Sequence, residues 1–175
     1  MKILLRTALL LLITVISSYG AGAQNKRGPA TPEEKANAVK AARLLESDPL
    51  TKDGKKIREW FTLWLIEVPD IHLEVCIGYL KPLYEGKGKN YAAELSAQMM
   101  FSSAAFIIEH PEQANDRTAV NLAGLEGSLK SYEAILKSKP TAKWEFLDGL
   151  ILKREKGELK AFVEEVARTQ CKSKV

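Results

Sequence analysis

The chain has 175 residues, and its 26 Lys and Arg outnumber its 22 Asp and Glu, so the formal net charge is +4 at pH 7. The basic residues of the last third alternate with acidic ones, as in KREKGELK, which is typical of a solvated helix face. Because the sequence contains neither a basic stripe nor a nucleic-acid-binding motif, it argues against a nucleic-acid partner.

The start of the chain has the three-part layout of a secretory signal peptide. Lys2 and Arg6 precede an apolar stretch, ALLLLITVI. Ala21 and Ala23 supply the small residues of a cleavage site. We predict that residues 1–23 are removed, which takes Lys2 and Arg6 away and leaves 152 residues with 24 basic and 22 acidic side chains. The polar QNKRGPATPEEK that follows cannot continue a spanning helix, so we expect no stable membrane anchor and a periplasmic or extracellular location.

The chain has two cysteines, Cys76 and Cys171. In an oxidising compartment, two cysteines without any other are most simply explained as one disulfide bond. The alternative is that Cys76 is a small buried apolar residue and Cys171 a thiol near the chain end.

We expect residues 24–30 to form a disordered leader and residues 31–171 to form one all-α domain. The first helix has a clear start signal, because Thr31 can cap it, Pro32 suits the first helical position and Glu34 completes a T-x-x-E capping box. Proline then marks the expected end of this helix and of several later ones.

The second predicted helix, residues 51–68, contains the stretch REWFTLWLIEVPD, which holds two tryptophans, one phenylalanine and four aliphatic residues. One stripe of this helix is formed by Ile57, Phe61, Trp64, Leu65 and Val68. Trp60, Leu63 and Ile66 extend the apolar surface nearly round the whole helix. The sequence therefore predicts that this is the central helix of the fold.

Residues 71–79 are ambiguous between a strand and a helix. Their apolar residues alternate with polar or small ones, as a strand requires, but a helical spacing also fits from Leu73 to Tyr84. We favour a helix capped by Asp70, because no second segment alternates and a single strand would leave its backbone groups unpaired.

Four further helices are predicted at 91–110, 116–138, 141–156 and beyond Gly157. In the 116–138 helix, Gly124 and Gly127 lie beside the apolar seam, and two glycines within one helix indicate close packing there. The fold class is therefore all-α, with about seven helices packed as antiparallel pairs in a bundle or a short α–α superhelix.

No complete catalytic motif occurs in the sequence, so we assign no catalytic residue, cofactor or metal ligand. The leading hypothesis is a non-enzymatic module that binds a protein partner. One alternative is a carrier of a small apolar ligand in a helix-lined cavity. The other is an enzyme or metal site centred on His72 and Cys76, which would lie one turn apart on the predicted helix and share its face.

Overall fold

The computed structural model describes residues 27–74, 76–86 and 88–171, and within these ranges the chain forms seven α-helices. They are α1 (Pro32–Ser47), α2 (Gly54–Glu67), α3 (Lys81–Glu85), α4 (Ala92–Glu109), α5 (Arg117–Ser138), α6 (Glu145–Glu155) and α7 (Leu159–Gln170). Short 3-10 helices, Ile77–Leu80, Lys89–Tyr91 and Pro111–Gln113, precede α3, α4 and α5. The all-α fold of packed helix pairs is confirmed. The predicted signal peptide, residues 1–23, lies outside the described residues.

The start of α1 matches its sequence signature. The Thr31 hydroxyl accepts a hydrogen bond from the Glu34 N–H at 3.2 Å, and the Glu34 carboxylate accepts one from the Thr31 N–H at 2.7 Å. Ala30, which lies in the predicted disordered leader, is buried, and its N–H donates to Asp70 at 2.8 Å. The ordered fold therefore begins before Thr31.

The centre of the fold is the antiparallel pair of α4 and α5. The Ser128 hydroxyl of α5 donates to the carbonyl oxygen of Leu95 at 2.9 Å, and the Ser103 hydroxyl of α4 donates to that of Val120 at 3.1 Å. These two bonds are eight residues apart on each helix, about 12 Å, so serine hydroxyls join the two backbones at two levels of the pair.

The two glycines of α5 are required by this close packing. A Cβ built on Gly124 would lie 2.7 Å from the Met99 carbonyl oxygen, and one built on Gly127 would lie 2.8 Å from the Glu46 carboxylate and overlap Ser102. The predicted close approach at Gly124 and Gly127 is thus confirmed, and α4 supplies the small side chains that face them.

Two hydrophobic clusters lie on either side of this pair, and α4 contributes to both. The first cluster contains α3, α6, α7 and the facing parts of α4 and α5. The second contains α1, α2, the later part of α4 and the segment that follows α2.

The prediction of a helix over residues 71–79 is wrong for residues 71–74 and for Cys76, none of which is helical. Among the described residues of this segment, Cys76 has extended backbone angles, and helical structure begins only at the 3-10 turn Ile77–Leu80. Ile71 is buried and Leu73 half-buried, whereas His72 and Glu74 are exposed. The apolar residues of this segment pack against helices and the polar ones between them face water. This explains the alternation in the sequence without a partner strand.

Asp70 does not cap a helix, as the sequence suggested. Its carboxylate accepts the Ala30 N–H and pairs with the Lys35 ammonium at 2.7 Å. The hydrogen bond from Lys35, followed by that from Ala30, lowers the pKa of Asp70. Asp70 thus ties the chain just after α2 to the start of α1.

The prediction that α2 is the central helix is also wrong. Phe61 and Trp64 are buried, but Trp60, Leu63 and Ile66 are exposed to 40, 60 and 75 %. A helix needs only one apolar face to pack against a body of other helices, so α2 lies at the edge of the second cluster and turns its second apolar face outward.

Candidate functional site

The most distinctive surface of the described structure is the outer face of α2. We call Trp60, Leu63 and Ile66 the α2 ridge. They follow one another at intervals of three residues and therefore lie along one side of the helix. Scattered exposed apolar residues are ordinary in a monomer, but three large neighbouring ones mark a surface that gains free energy when another molecule covers it.

Aromatic packing on the opposite side holds the ridge in place. The ring of Phe61 stacks on that of Phe101 of α4 with centroids 4.3 Å apart, and Trp64 meets Phe61 edge-on at 5.7 Å. The ring of Trp60 stacks against Trp64 at 6.1 Å. Because the inner face of α2 is fixed by large rings, the ridge is presented on a rigid element, which lowers the entropy cost of binding.

Two adjoining openings separate α2 from α4, and we call them together the α2–α4 groove. The first has a volume of about 540 Å³ and lies between Leu63 and the small side chains of Ala93 and Ala97. The second has a volume of about 390 Å³ and lies between Ile66 and Met100. Thr62 lines both openings. The groove is thus open to solvent, mainly apolar, and bounded on one side by the ridge.

The charges on α2 are arranged against its helix dipole. Lys55 and Lys56 stand in the first turn, where the dipole favours acids, and Glu67 ends the helix, where it favours bases. Their partners Glu59, Asp53 and Arg27 lie at 3.5–3.7 Å, and the lysine pairs are well exposed, so these contacts contribute little. One end of the outer face is therefore basic and the other acidic.

His72 and Cys76 do not form the shared helical face that the sequence suggested, because neither His72 nor Cys76 lies in a helix and Cys76 has extended backbone angles. Instead, the structure brings Cys76 to disulfide distance from Cys171, with the two Cα atoms 5.5 Å apart. The thiol that a catalytic or zinc-binding role would need therefore faces another sulfur. No group of three His, Cys, Asp or Glu residues suited to a metal ion occurs in the described ranges.

A carrier of an apolar ligand would need an enclosed cavity. A narrow pocket lies beneath Cys76, between Ser96, Met99 and Ser103, and offers about 20 Å³. That volume is close to what a single water molecule requires. This pocket does not favour the carrier hypothesis.

A buried carboxylate, Glu46, lies where α1, α4 and α5 meet. It accepts a hydrogen bond from the Ser102 hydroxyl at 2.8 Å, is paired with Arg43 at 2.5 Å and lies 3.6 Å from the Lys130 ammonium. Ser102 in turn accepts from Gln98 at 2.9 Å. Because the Glu46 carboxylate has one hydrogen-bond donor and two cations as partners, the cluster has a structural role in joining the helices.

Sequence reasoning assigned the ridge to the core, although a signal for its exposure was present. The residues of the buried face, Ile57, Phe61, Trp64 and Val68, follow the spacing of one helical stripe. Lys56, Leu63 and Glu67 lie together on a second stripe, about a third of a turn round the helix from the first, since they are separated by seven and four residues. Charged residues on the same stripe as Leu63 indicate that this stripe faces water.

Among the described helices, none is both long and apolar enough to cross a membrane. No known protein family, curated protein or solved structure matches the chain.

Proposed function

We propose that this chain is a secreted or periplasmic, non-enzymatic module that binds another polypeptide through the α2 ridge and the α2–α4 groove. The partner supplies an amphipathic helix whose apolar side chains, three or four residues apart, enter the groove beside Leu63 and Ile66. This is the helix-in-groove mode of recognition, in which a preformed apolar trough provides affinity and charges at its ends provide orientation.

The observation that carries the proposal is the exposure of Leu63 and Ile66 on a helix whose opposite face is firmly packed. The small side chains of Ala93 and Ala97 leave room on the other side of the groove. An elongated apolar trough of this kind suits the side of a helix better than a compact small molecule, which would need to be enclosed.

The proposed location is supported by two observations. The first residues follow the layout of a secretory signal. Cys76 and Cys171 lie at disulfide distance, and disulfide bonds persist in the periplasm and outside the cell.

The experiment is a selection of displayed peptides against the purified chain. The probe is a library of amphipathic helical peptides, and binding of the enriched peptides is then measured by biolayer interferometry. We expect Leu63→Glu to weaken binding by at least about tenfold, because it places a charge at the centre of the contact.

The matched control is Leu152→Glu, since Leu152 is an exposed leucine of α6, outside the proposed surface. This variant should bind the same peptides as well as the unaltered chain does. Circular dichroism should show both variants folded. The proposal is wrong if no peptide enriches, or if the enriched peptides bind the Leu63→Glu variant undiminished.

A further inference from the structure

We infer that the helix which docks on the α2 ridge is α2 of a second copy of this chain, running antiparallel to the first. The inference rests on the proposed function, because it names the partner of the same surface. It is carried by the order of charged and apolar residues on the outer face of α2, which is complementary to itself when the helix is reversed.

The order of residues on this face is Lys56, Trp60, Leu63 and Glu67. Lys56 lies four residues before Trp60, and Glu67 lies four residues after Leu63. Four helical residues rise about 6 Å, so the two charged side chains stand equally far outside the apolar pair. In an antiparallel pair, this symmetry sets Trp60 opposite Leu63 of the partner subunit.

The same register sets Lys56 opposite Glu67 of the partner subunit. A twofold axis repeats each contact, so the interface gains two ion pairs and two apolar contacts from one helix pair. The exposed side-chain fractions of Lys56 and Glu67 are 84 and 62 %, and their contacts with Asp53 and Arg27 are long, at 3.5 Å, so both side chains can turn toward the second copy at little cost.

The antiparallel arrangement also offsets the unfavourable interaction between the charges at the ends of α2 and its helix dipole. In the single copy, a basic first turn and an acidic last turn both oppose the helix dipole. In the antiparallel pair, the basic end of each helix lies beside the acidic end of the other, and the two dipoles run in opposite directions. A parallel arrangement would instead place like charges together.

The apolar surface beside Leu63 also favours the antiparallel helix pair. The groove has its open volume between Leu63 and the small residues Ala93 and Ala97, directly beside the ridge. Of the four residues in this order, Leu63 is the one that lines the groove, so Trp60 of the partner subunit would pack at the edge of the groove. A contact limited to one helix pair buries less surface than a permanent dimer does, so we expect a weak association that depends on concentration.

Sedimentation velocity and equilibrium of the purified chain test the inference. The unaltered chain should move from monomer to dimer with rising concentration. Lys56→Glu should raise the dimer dissociation constant by about tenfold or more, because each of the two ion pairs becomes a repulsion between acids. Lys160→Glu is the control, since Lys160 of α7 is also exposed and faces a glutamate four residues away, and it should leave the dissociation constant unchanged.

The decisive variant carries both Lys56→Glu and Glu67→Lys. It restores opposite charges across the proposed interface and should dimerise again, and an equimolar mixture of the two single variants should form a mixed dimer. A chain that stays monomeric at the highest soluble concentration would overturn the inference, as would a dimer that Lys56→Glu does not weaken or that the double variant does not restore. If the chain is monomeric while helical peptides still bind in a Leu63-dependent manner, the partner is another polypeptide and the proposed function stands.

Discussion

Helices α2 and α4 are both long stretches of largely apolar sequence, yet one lies at the edge of the fold and the other at its centre. Both are rich in apolar residues on several sides, and both read as buried helices. In the structure, α4 buries eleven of its eighteen residues, whereas α2 buries three of fourteen. The difference lies in the size of the side chains. Alanines and serines of α4 let neighbours approach its backbone from two sides, whereas the aromatic rings of α2 pack against a single side.

The comparison shows that an apolar sequence predicts a surface that is favourably buried, but it does not predict which element covers that surface. For α4, the rest of the chain provides this cover through α1 and α5. For the outer face of α2, the described part of the chain leaves the surface uncovered, which is why that face becomes the candidate interface.

The largest expected effect concerns the first hydrophobic cluster, to which α2 does not contribute. Replacement of Cys76 and Cys171 by serine should lower the free energy of unfolding by about 4 to 5 kcal/mol, because a link across 95 residues restricts the unfolded chain. Denaturant titration with and without reductant measures the loss, and the double-serine variant should not respond to reductant.

Amide hydrogen exchange then shows which helices lose stability in the double-serine variant. The cysteines pack against the cluster that contains α7, so amide exchange should increase in α7 before it increases in α2. Two titratable thiols in the denatured, unreduced chain would show that Cys76 and Cys171 are not bonded.

The two tryptophans of α2 test the division between its faces. Trp64 is buried, so Trp64→Ala should cost about 3 to 5 kcal/mol through the cavity that it leaves. Trp60 lies four residues away on the exposed ridge, and Trp60→Ala should lower the free energy of unfolding by only about 1 kcal/mol, through the lost stacking on Trp64. Equal losses, measured by urea denaturation, would mean that both faces of α2 are packed.

Glycine replacements test the close packing that distinguishes α4. Gly127→Leu should cost about 3 kcal/mol, because its side chain would displace Ser102 and disturb the hydrogen bond to Glu46. A Cβ built on Gly149 of α6 would meet no atom within 4 Å, so Gly149→Ala should stabilise the chain by about 0.5 to 1 kcal/mol. Thermal or urea unfolding of the two variants provides the measurement, and an unfolding transition of the Gly127→Leu variant equal to that of the unaltered chain would contradict the packing argument.

Much of the fold could be predicted from local signals. The capping box of Thr31 and Glu34 marked the start of α1, the glycines of α5 marked the close helix contact, and the pairing of the two cysteines matched the distance between them. Each of these depends on neighbouring residues or on the small number of possible partners. The alternation of residues 71–74 was also real, but it came from an extended segment against helices, a structure that local patterns do not distinguish from a strand.

The candidate site had one local signal, the charged residues Lys56 and Glu67 on the same stripe as Leu63. Leu63 and Ile66 are as apolar as core residues, and it is the position of α2 relative to α4 that leaves them exposed. By itself the sequence determined most of the helices, though not the structure of the segment after Asp70, and it determined which helix faces are apolar, since backbone capping and side-chain period act within a few residues. The tertiary structure decided which apolar faces are covered, because coverage depends on how many helices the side chains allow to pack around each one.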